Sequence, residues 1–283
     1  MAEQNKTPTT GHEWDGITEL NTPLPKWWLY VFWATILWAI GYWVVYPAWP
    51  SLSGYTKGVI GYSSRADYAG EAAAAAQARR VWTDRIDALS VDAVVADSEL
   101  LQYAAAGGRS AFAENCAPCH GAGGQGAPGY PILADDDWLW GGTAADIYQT
   151  VQYGVRSDHG SARLSEMPKF GADGLLDEAA IADAAEYVLS LSNRSEDAAA
   201  AGRGQTIYAE NCAACHGEAG RGMKEVGAPS LADDIWLYGG ERSDIVAQIT
   251  NPRQGVMPAW SGRLGDTGIK MVSIYVHSLG GGQ

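Results

Sequence analysis

The sequence predicts a mainly α-helical protein in which one N-terminal transmembrane helix is followed by two small domains that repeat each other. Twenty consecutive residues, 27–46, carry no charge, and this length lets a helix cross the hydrocarbon core of a bilayer. Later in the chain, short blocks of sequence occur twice in the same order, which is typical of an internal repeat. A chain of 283 residues has room for both domains and an anchor.

The uncharged segment has tryptophan and tyrosine crowded at both ends, as expected of side chains at the two membrane surfaces. A cleaved signal peptide is the alternative interpretation. The run is longer than a typical signal core, and Pro47 and Trp49 follow it where a cleavage site would need small residues. We therefore predict an N-terminal segment over 1–26 and an uncleaved transmembrane helix over 27–47.

A linker over 48–98 is predicted to follow the membrane helix. Its alanine-rich part, 71–80, favours a helix, and glycines at 54, 58 and 61 indicate turns before it. We expect a partly helical linker that packs on a partner.

A pentapeptide with two cysteines and a histidine occurs at 116–120 and again at 212–216, and the two copies contain all four cysteines. On a short helix, Cys at i and i+3 and His at i+4 lie on one face. Two thiols can then add to the two vinyl groups of one porphyrin while the imidazole binds its iron. A redox dithiol or a four-cysteine zinc site would leave both histidines unexplained. The motifs therefore predict two covalently bound c-type haems.

Further blocks repeat in register with the two motifs. They are Ala113–Cys116 and Ala209–Cys212, Pro131–Asp136 and Pro229–Asp234, Trp138–Gly142 and Trp236–Gly240, and Met167–Pro168 and Met257–Pro258. Apolar residues at helical spacing close each repeat, beginning at Ile181 after an Asp177 cap and at Ile269. We predict two tandem class I cytochrome c-type haem domains, 99–193 and 194–283, in which a buried porphyrin supplies apolar mass that so short a chain lacks.

Each haem iron needs a second axial ligand beside His120 or His216, and methionine with histidine raises the reduction potential. Met167 and Met257 occupy the same place in their repeats, and each precedes a proline that restricts the backbone. The other three methionines are the start residue and two residues outside the expected ligand loops. His159 is a rival ligand, but the second repeat has no counterpart to it.

Six further side chains are candidates for contact with the haem propionates or edges, with ordinary core packing as the alternative for the aromatic ones. They are Arg156, Arg253, Trp138, Trp140, Trp236 and Tyr238. The two arginines fall at similar distances after the repeated glycine pairs, where either could pair with a propionate.

The formal net charge is −14, and nearly all of the acidic excess lies outside the membrane segment. This charge argues against nucleic acid as a partner and favours a basic soluble protein, with simple solubility as the alternative. Basic residues are balanced across the membrane segment, so their distribution does not orient it. Covalent haem attachment belongs to the outer side of a bacterial inner membrane, so we expect periplasmic haem domains and a cytoplasmic N terminus.

The N-terminal stretch contains Gly-His-Glu-Trp-Asp-Gly-Ile at 11–17 and Glu-Leu-Asn-Thr-Pro-Leu-Pro-Lys-Trp-Trp at 19–28. With the anchor and the tandem motifs, it closely resembles the dihaem subunit of cbb3-type cytochrome c oxidases, called CcoP or FixP, over essentially the whole chain. The resemblance implies a non-catalytic electron-transfer subunit of a proton-pumping oxidase that works at low oxygen. Its partners would be a soluble or membrane-bound donor cytochrome c, a monohaem cytochrome c subunit and the catalytic haem-copper subunit.

The resemblance also implies that the two methionines are exchanged, so that Met257 binds the haem at Cys116 and Met167 the haem at Cys212. The residues alone leave open the ordinary arrangement, in which each methionine serves its own repeat. Two other functions remain as alternatives. A free-standing membrane-anchored dihaem cytochrome would shuttle electrons between respiratory complexes, and a dihaem peroxidase would need one open iron position, against which the two matched Met-Pro sites argue.

Overall fold

A computed structural model of the protein describes residues 7–280. The chain separates into two compact units, residues 1–78 and residues 79–283. The first unit contains the apolar helix, and the second contains both cysteine motifs.

The first unit begins with an antiparallel hairpin of β1 (Thr9–Trp14) and β2 (Ile17–Leu20). Asp15 and Gly16 both have positive φ at its turn, which is the geometry that Asp-Gly favours in two-residue hairpin loops. The apolar helix α1 (Lys26–Val45) follows Pro25, and a short ladder of β3 (Pro50–Ser51) and β4 (Gly54–Tyr55) comes after it.

Helix α1 lies where the sequence predicts a membrane segment and is a candidate membrane span. It is 20 residues long, and none of its residues is buried among the described residues. By length and composition it is the one candidate membrane span within residues 7–280. Its exposed apolar side chains are suited to contact with lipid rather than with water.

The linker forms one long helix, α2 (Ser64–Ala88), and a short one, α3 (Val91–Ala96). The end of α2 belongs to the second unit, where Ile86 is fully buried beside Val94 and Leu100. Buried Lys270 donates hydrogen bonds to the carbonyls of Ile86 and Asp87 at 3.2 and 3.0 Å. This end of the linker therefore packs within its own chain, whereas the sequence suggested packing on a partner.

The second unit continues with eight more helices and a 3-10 turn at Lys224–Val226. The helices are α4 (Ser98–Asn115), α5 (Ala117–His120), α6 (Ala144–Tyr153), α7 (Glu178–Leu191), α8 (Ala198–Asn211), α9 (Ala213–His216), α10 (Arg242–Thr250) and α11 (Ser261–His277). Asp177 caps α7 as predicted, accepting a hydrogen bond from the Ala180 N–H. Gly265 interrupts α11 with φ 66°, so the predicted closing helix follows it.

The two closing helices are exchanged between the repeats. Helix α7, from the first repeat, packs on α8 and α10 of the second, and α11, from the second repeat, packs on α4 and α6 of the first. We call α3 to α6 with α11 the first half, and α7 to α10 the second half. The predicted boundary at residue 193 follows the sequence repeat, whereas packing assigns each closing helix to the other half. Since α7 and α11 carry the same apolar pattern, their periodicity does not reveal the exchange.

Each exchanged helix crosses its partner at a glycine. A Cβ atom on Gly108 of α4 would lie 2.0 Å from the Met271 carbonyl oxygen of α11, and one on Gly204 of α8 would lie 2.0 Å from the Asp183 oxygen of α7. Between the two repeats, Ser192 to Gly204 is rich in small and polar residues, and this composition predicts a connection between the domains. The connection instead ends at Asp197, where α8 is capped, and Gly204 is needed inside the helix because two backbones touch there.

We predict that Gly204→Ala destabilises the second half while Gly202→Ala on the same helix does not. A methyl group at 204 must push α7 away, at a cost of about 1–3 kcal/mol or more. A methyl group at 202 meets no atom within 4 Å and should stabilise the helix by up to about 1 kcal/mol. Thermal unfolding of the two variants measures the difference, and equal melting temperatures would contradict this crossing.

Candidate functional site

Both cysteine motifs form the short helical turn that the sequence predicts. Helices α5 and α9 each begin directly after a cysteine that ends the preceding long helix. The N–H groups of Cys119 and His120 donate to the Cys116 carbonyl at 3.1 and 2.9 Å, and the Cys212 carbonyl accepts the same two bonds at the same distances. One turn of helix therefore brings both thiols and the imidazole of each motif to one side.

A hydrogen bond to a backbone carbonyl orients each motif histidine. The Nδ1 atom of His120 lies 3.0 Å from the Pro131 oxygen, and that of His216 lies 2.9 Å from the Pro229 oxygen. A carbonyl only accepts, so Nδ1 carries the proton and Nε2 presents its lone pair. Burial lowers the pKa of both imidazoles, outweighing these hydrogen bonds. Each ring is thus neutral and held as a metal-ligating histidine requires.

The thiols do not resemble a redox pair. Burial, with a smaller contribution from the neighbouring thiol, raises the pKa of Cys116 and of Cys212 to about 11. All four cysteines are free. A reactive dithiol needs a lowered pKa, and within residues 7–280 no three His, Cys, Asp or Glu side chains come together as a metal site. The redox dithiol and the zinc site therefore both lose support.

The two Met-Pro loops are fastened by residues of the other repeat. Met257 and Val155 exchange backbone hydrogen bonds of 3.0 Å in both directions. The Gln254 side chain accepts from the Met167 N–H at 3.3 Å and donates to the Met167 carbonyl at 3.2 Å. Each methionine is consequently held where the two repeats meet.

The core that each methionine joins follows the helix exchange. Met257 packs against the same buried cluster as Cys116 and Trp138, around Phe112 of α4. Met167 packs against the cluster shared by Cys212 and Trp236, around Tyr208 of α8. Each methionine is therefore near the cysteine motif of the opposite repeat.

The arginines singled out in the sequence bind backbone carbonyls. Arg156 donates to the carbonyls of Gly255 and Ser165 at 2.7 and 3.0 Å, and Arg253 donates to that of Tyr238 at 2.7 Å while lying over its ring. The counterpart of Arg253 in packing is Arg163.

Arg163 and Arg253 each precede the ligand-loop methionine by four residues. Their guanidinium carbons lie 5.3 Å from the ring centre of Trp140 and 5.0 Å from that of Tyr238. Their equal spacing from the methionines identifies Arg163 and Arg253 as counterparts, whereas spacing from the repeated glycines had paired Arg156 with Arg253.

Three buried nitrogen donors near the motifs have no hydrogen-bond partner within the described residues. They are Arg163 Nε, Arg194 Nη2 and Trp236 Nε1. Buried donors are normally satisfied, so these nitrogens leave room for an acceptor outside the described residues. Paired thiols, a fixed imidazole, a thioether and unpaired donors beside an apolar cluster together fit a haem with its carboxylates.

The remaining histidines and methionines stay apart from this arrangement. His159 accepts a hydrogen bond from the Ser161 N–H at 3.0 Å within its own turn. Met223 pairs with Ala228 ahead of the 3-10 turn, and Met271 packs on the core beside the end of α2. They give no reason to replace Met167 or Met257 as ligand candidates.

The fold and the two motifs define a c-type cytochrome with tandem repeats and one candidate membrane span. Residues 6–53 match the model of the N-terminal domain of FixP from cytochrome oxidase-cbb3. Residues 104–188 and 199–276 match the model of cbb3-type cytochrome c oxidase subunit III.

Curated relatives match over nearly their whole lengths. A cbb3-type cytochrome c oxidase subunit CcoP from Azospirillum brasilense is 55% identical, with 100% of both chains covered. Subunit FixP from Bradyrhizobium diazoefficiens is 53% identical, covering 97% of this chain and 95% of its own. Subunit CcoP from Cereibacter sphaeroides is 51% identical, covering 98% and 96%. The chain belongs to the CcoP/FixP family of cbb3-type oxidase subunits.

Proposed function

We propose that this chain is a non-catalytic electron-transfer subunit of a cbb3-type cytochrome c oxidase and carries two covalently bound haem c groups. The observation that carries the proposal is the duplicated Cys-x-x-Cys-His turn with each imidazole held by a carbonyl at 2.9 to 3.0 Å. When bound, haem c supplies one-electron oxidation and reduction at its iron.

The proposed ligand sets follow the exchanged packing. In the first half, Cys116 and Cys119 would hold the porphyrin while His120 and Met257 ligate the iron. In the second half, Cys212 and Cys215 would hold it while His216 and Met167 ligate the iron. The shared clusters of each methionine with the opposite motif support this pairing over the ordinary one.

The protein's own part in the reaction is to hold these ligands in place. The carbonyls of Pro131 and Pro229 fix the imidazoles, and the bonds to Val155 and Gln254 fix the Met-Pro loops. Ligands that are held in both oxidation states reduce the rearrangement that accompanies electron transfer. With two occupied axial positions, such a centre would pass electrons rather than bind peroxide.

We propose a location in the bacterial inner membrane, with the N terminus cytoplasmic and the haem halves periplasmic. A soluble or membrane-bound donor cytochrome c would supply electrons, and the monohaem and haem-copper subunits would receive them. The net charge of −14 suits a basic donor. The match of residues 6–53 to the FixP N-terminal model favours an oxidase subunit over a free-standing shuttle.

Replacing Cys116 and Cys119 with serine should halve the covalent haem per chain, because one motif would lose both thioether bonds. Haem staining after denaturing electrophoresis, calibrated by haem content, measures it. Two haems per chain in that variant would contradict the attachment sites.

Met257→Leu should lower the reduction potential of the haem bonded to Cys116, and Met167→Leu that of the haem bonded to Cys212, because losing the thioether removes the ligand that raises it. Redox titration of variants that retain one haem motif assigns each effect. Met271→Leu is the matched control and should change neither potential. If Met167→Leu perturbs only the Cys116 haem, the exchange of ligands is wrong.

Replacing residues 1–47 with an unrelated signal anchor of the same orientation should release the subunit from the oxidase, while both haems are still attached. The N-terminal hairpin and α1 leave Trp14, Trp33 and Trp38 exposed, and such surfaces can pack on neighbouring subunits as well as lipid. Co-purification and electron flow from cytochrome c to oxygen measure the effect. Full assembly of the chimera would place the binding determinants after residue 47.

A further inference from the structure

We propose that Arg194 and Trp236 form a binding site for one haem propionate in the second half, and that the described residues of the first half contain no equivalent pair. The proposal rests on the proposed haem function and adds two residues that determine how that haem is held. Neither side chain takes part in the thioether bonds or the iron ligation.

The two side chains form one stacked pair of donors. The guanidinium carbon of Arg194 lies 5.2 Å from the centre of the Trp236 ring. Two hydrogen bonds position Arg194. Its backbone N–H donates to the Leu189 carbonyl at 2.8 Å, and its side-chain Nε donates to the Ser192 hydroxyl at 3.1 Å. Its Nη2 and the indole Nε1 are both buried, and neither has a hydrogen-bond partner among residues 7–280.

Two buried donors without an acceptor destabilise the folded protein, because each loses its hydrogen bonds to water and gains none in return. One of them belongs to a cation, which favours an anionic acceptor. Buried Glu186 already accepts hydrogen bonds from the Ser195 hydroxyl at 2.8 Å and from the Arg242 Nε at 2.7 Å. An anionic acceptor from outside the chain would satisfy both free donors together.

The position of the pair selects a haem carboxylate as that acceptor. Trp236 packs on the cluster that also includes Cys212 and Met167, which are the thioether and axial ligand candidates of the second half. A porphyrin held by Cys212 would bring two carboxylates to this part of the second half. A charge-assisted bond from Arg194 and a second bond from Trp236 would then hold one of them.

The first half differs at the arginine. Trp138 is the repeat counterpart of Trp236, but Arg194 follows Tyr187 by seven residues, and the residue seven after Tyr275 is a glycine. The unpaired arginine donor there is Arg163 Nε, which comes from the loop after α6 and lies over Trp140 instead. The two haems would thus have different charged surroundings, and Arg194 would raise the potential of the Cys212 haem by stabilising its reduced state.

Redox titration of the full-length subunit in the purified oxidase tests the assignment. Arg194→Gln should shift the midpoint of the Cys212 haem to lower potential, Arg194→Lys should shift it less, and Trp236→Phe should shift the same haem while keeping an aromatic ring. Arg263→Gln is the control, because exposed Arg263 also lies 5.2 Å from a tryptophan ring, that of Trp260. It should leave both midpoints unchanged.

Haem content separates the possible failures. If Arg194→Gln and Trp236→Phe keep two covalent haems and leave both midpoints unchanged, the proposed propionate site is wrong and water satisfies the donors. If Arg194→Gln fails to retain haem, the midpoint potential of the Cys212 haem in Trp236→Phe decides, because that variant removes one donor and keeps an aromatic ring. Wild-type protein without covalent haem would instead overturn the proposed function.

Discussion

The close contact of two backbones at Gly108 and at Gly204 is the constraint on which the second unit depends. At each crossing the glycine lets a closing helix lie directly on a motif helix. One turn later an aromatic ring, Phe112 or Tyr208, packs against a tyrosine of the closing helix, with ring centres 5.3 and 5.0 Å apart. A further turn brings the first cysteine of the motif. The crossing therefore sets where each proposed haem site begins.

The helix exchange and the proposed methionine exchange have one cause. Each ligand loop runs ahead of a closing helix, so a helix that packs in the opposite half carries its methionine there. Met257 precedes α11 in the first half, and Met167 precedes α7 in the second. Since each half needs residues from both repeats, we expect the two halves to fold together.

Local signals predicted the secondary structure well because they act within a few residues. The uncharged run gave α1, Asp177 capped α7, and the cysteine motifs formed the expected turns. Such local signals do not reveal the exchange of the closing helices, because α7 and α11 carry equivalent apolar patterns. Gly204 was taken for a linker residue, because only the approach of α7 distinguishes a packing glycine from a flexible one. Arg194 was missed for a similar reason, since it lies outside the repeated blocks and its stacking partner, Trp236, is distant in sequence.

A cryo-electron microscopy map of the native oxidase would test the exchange most directly, because it would show the iron ligands and the connections between helices together. We expect the Met257 sulfur to ligate the iron of the haem bonded to Cys116 and α11 to lie across Gly108. A map in which Met167 ligates that iron, with α7 crossing α4, would contradict it.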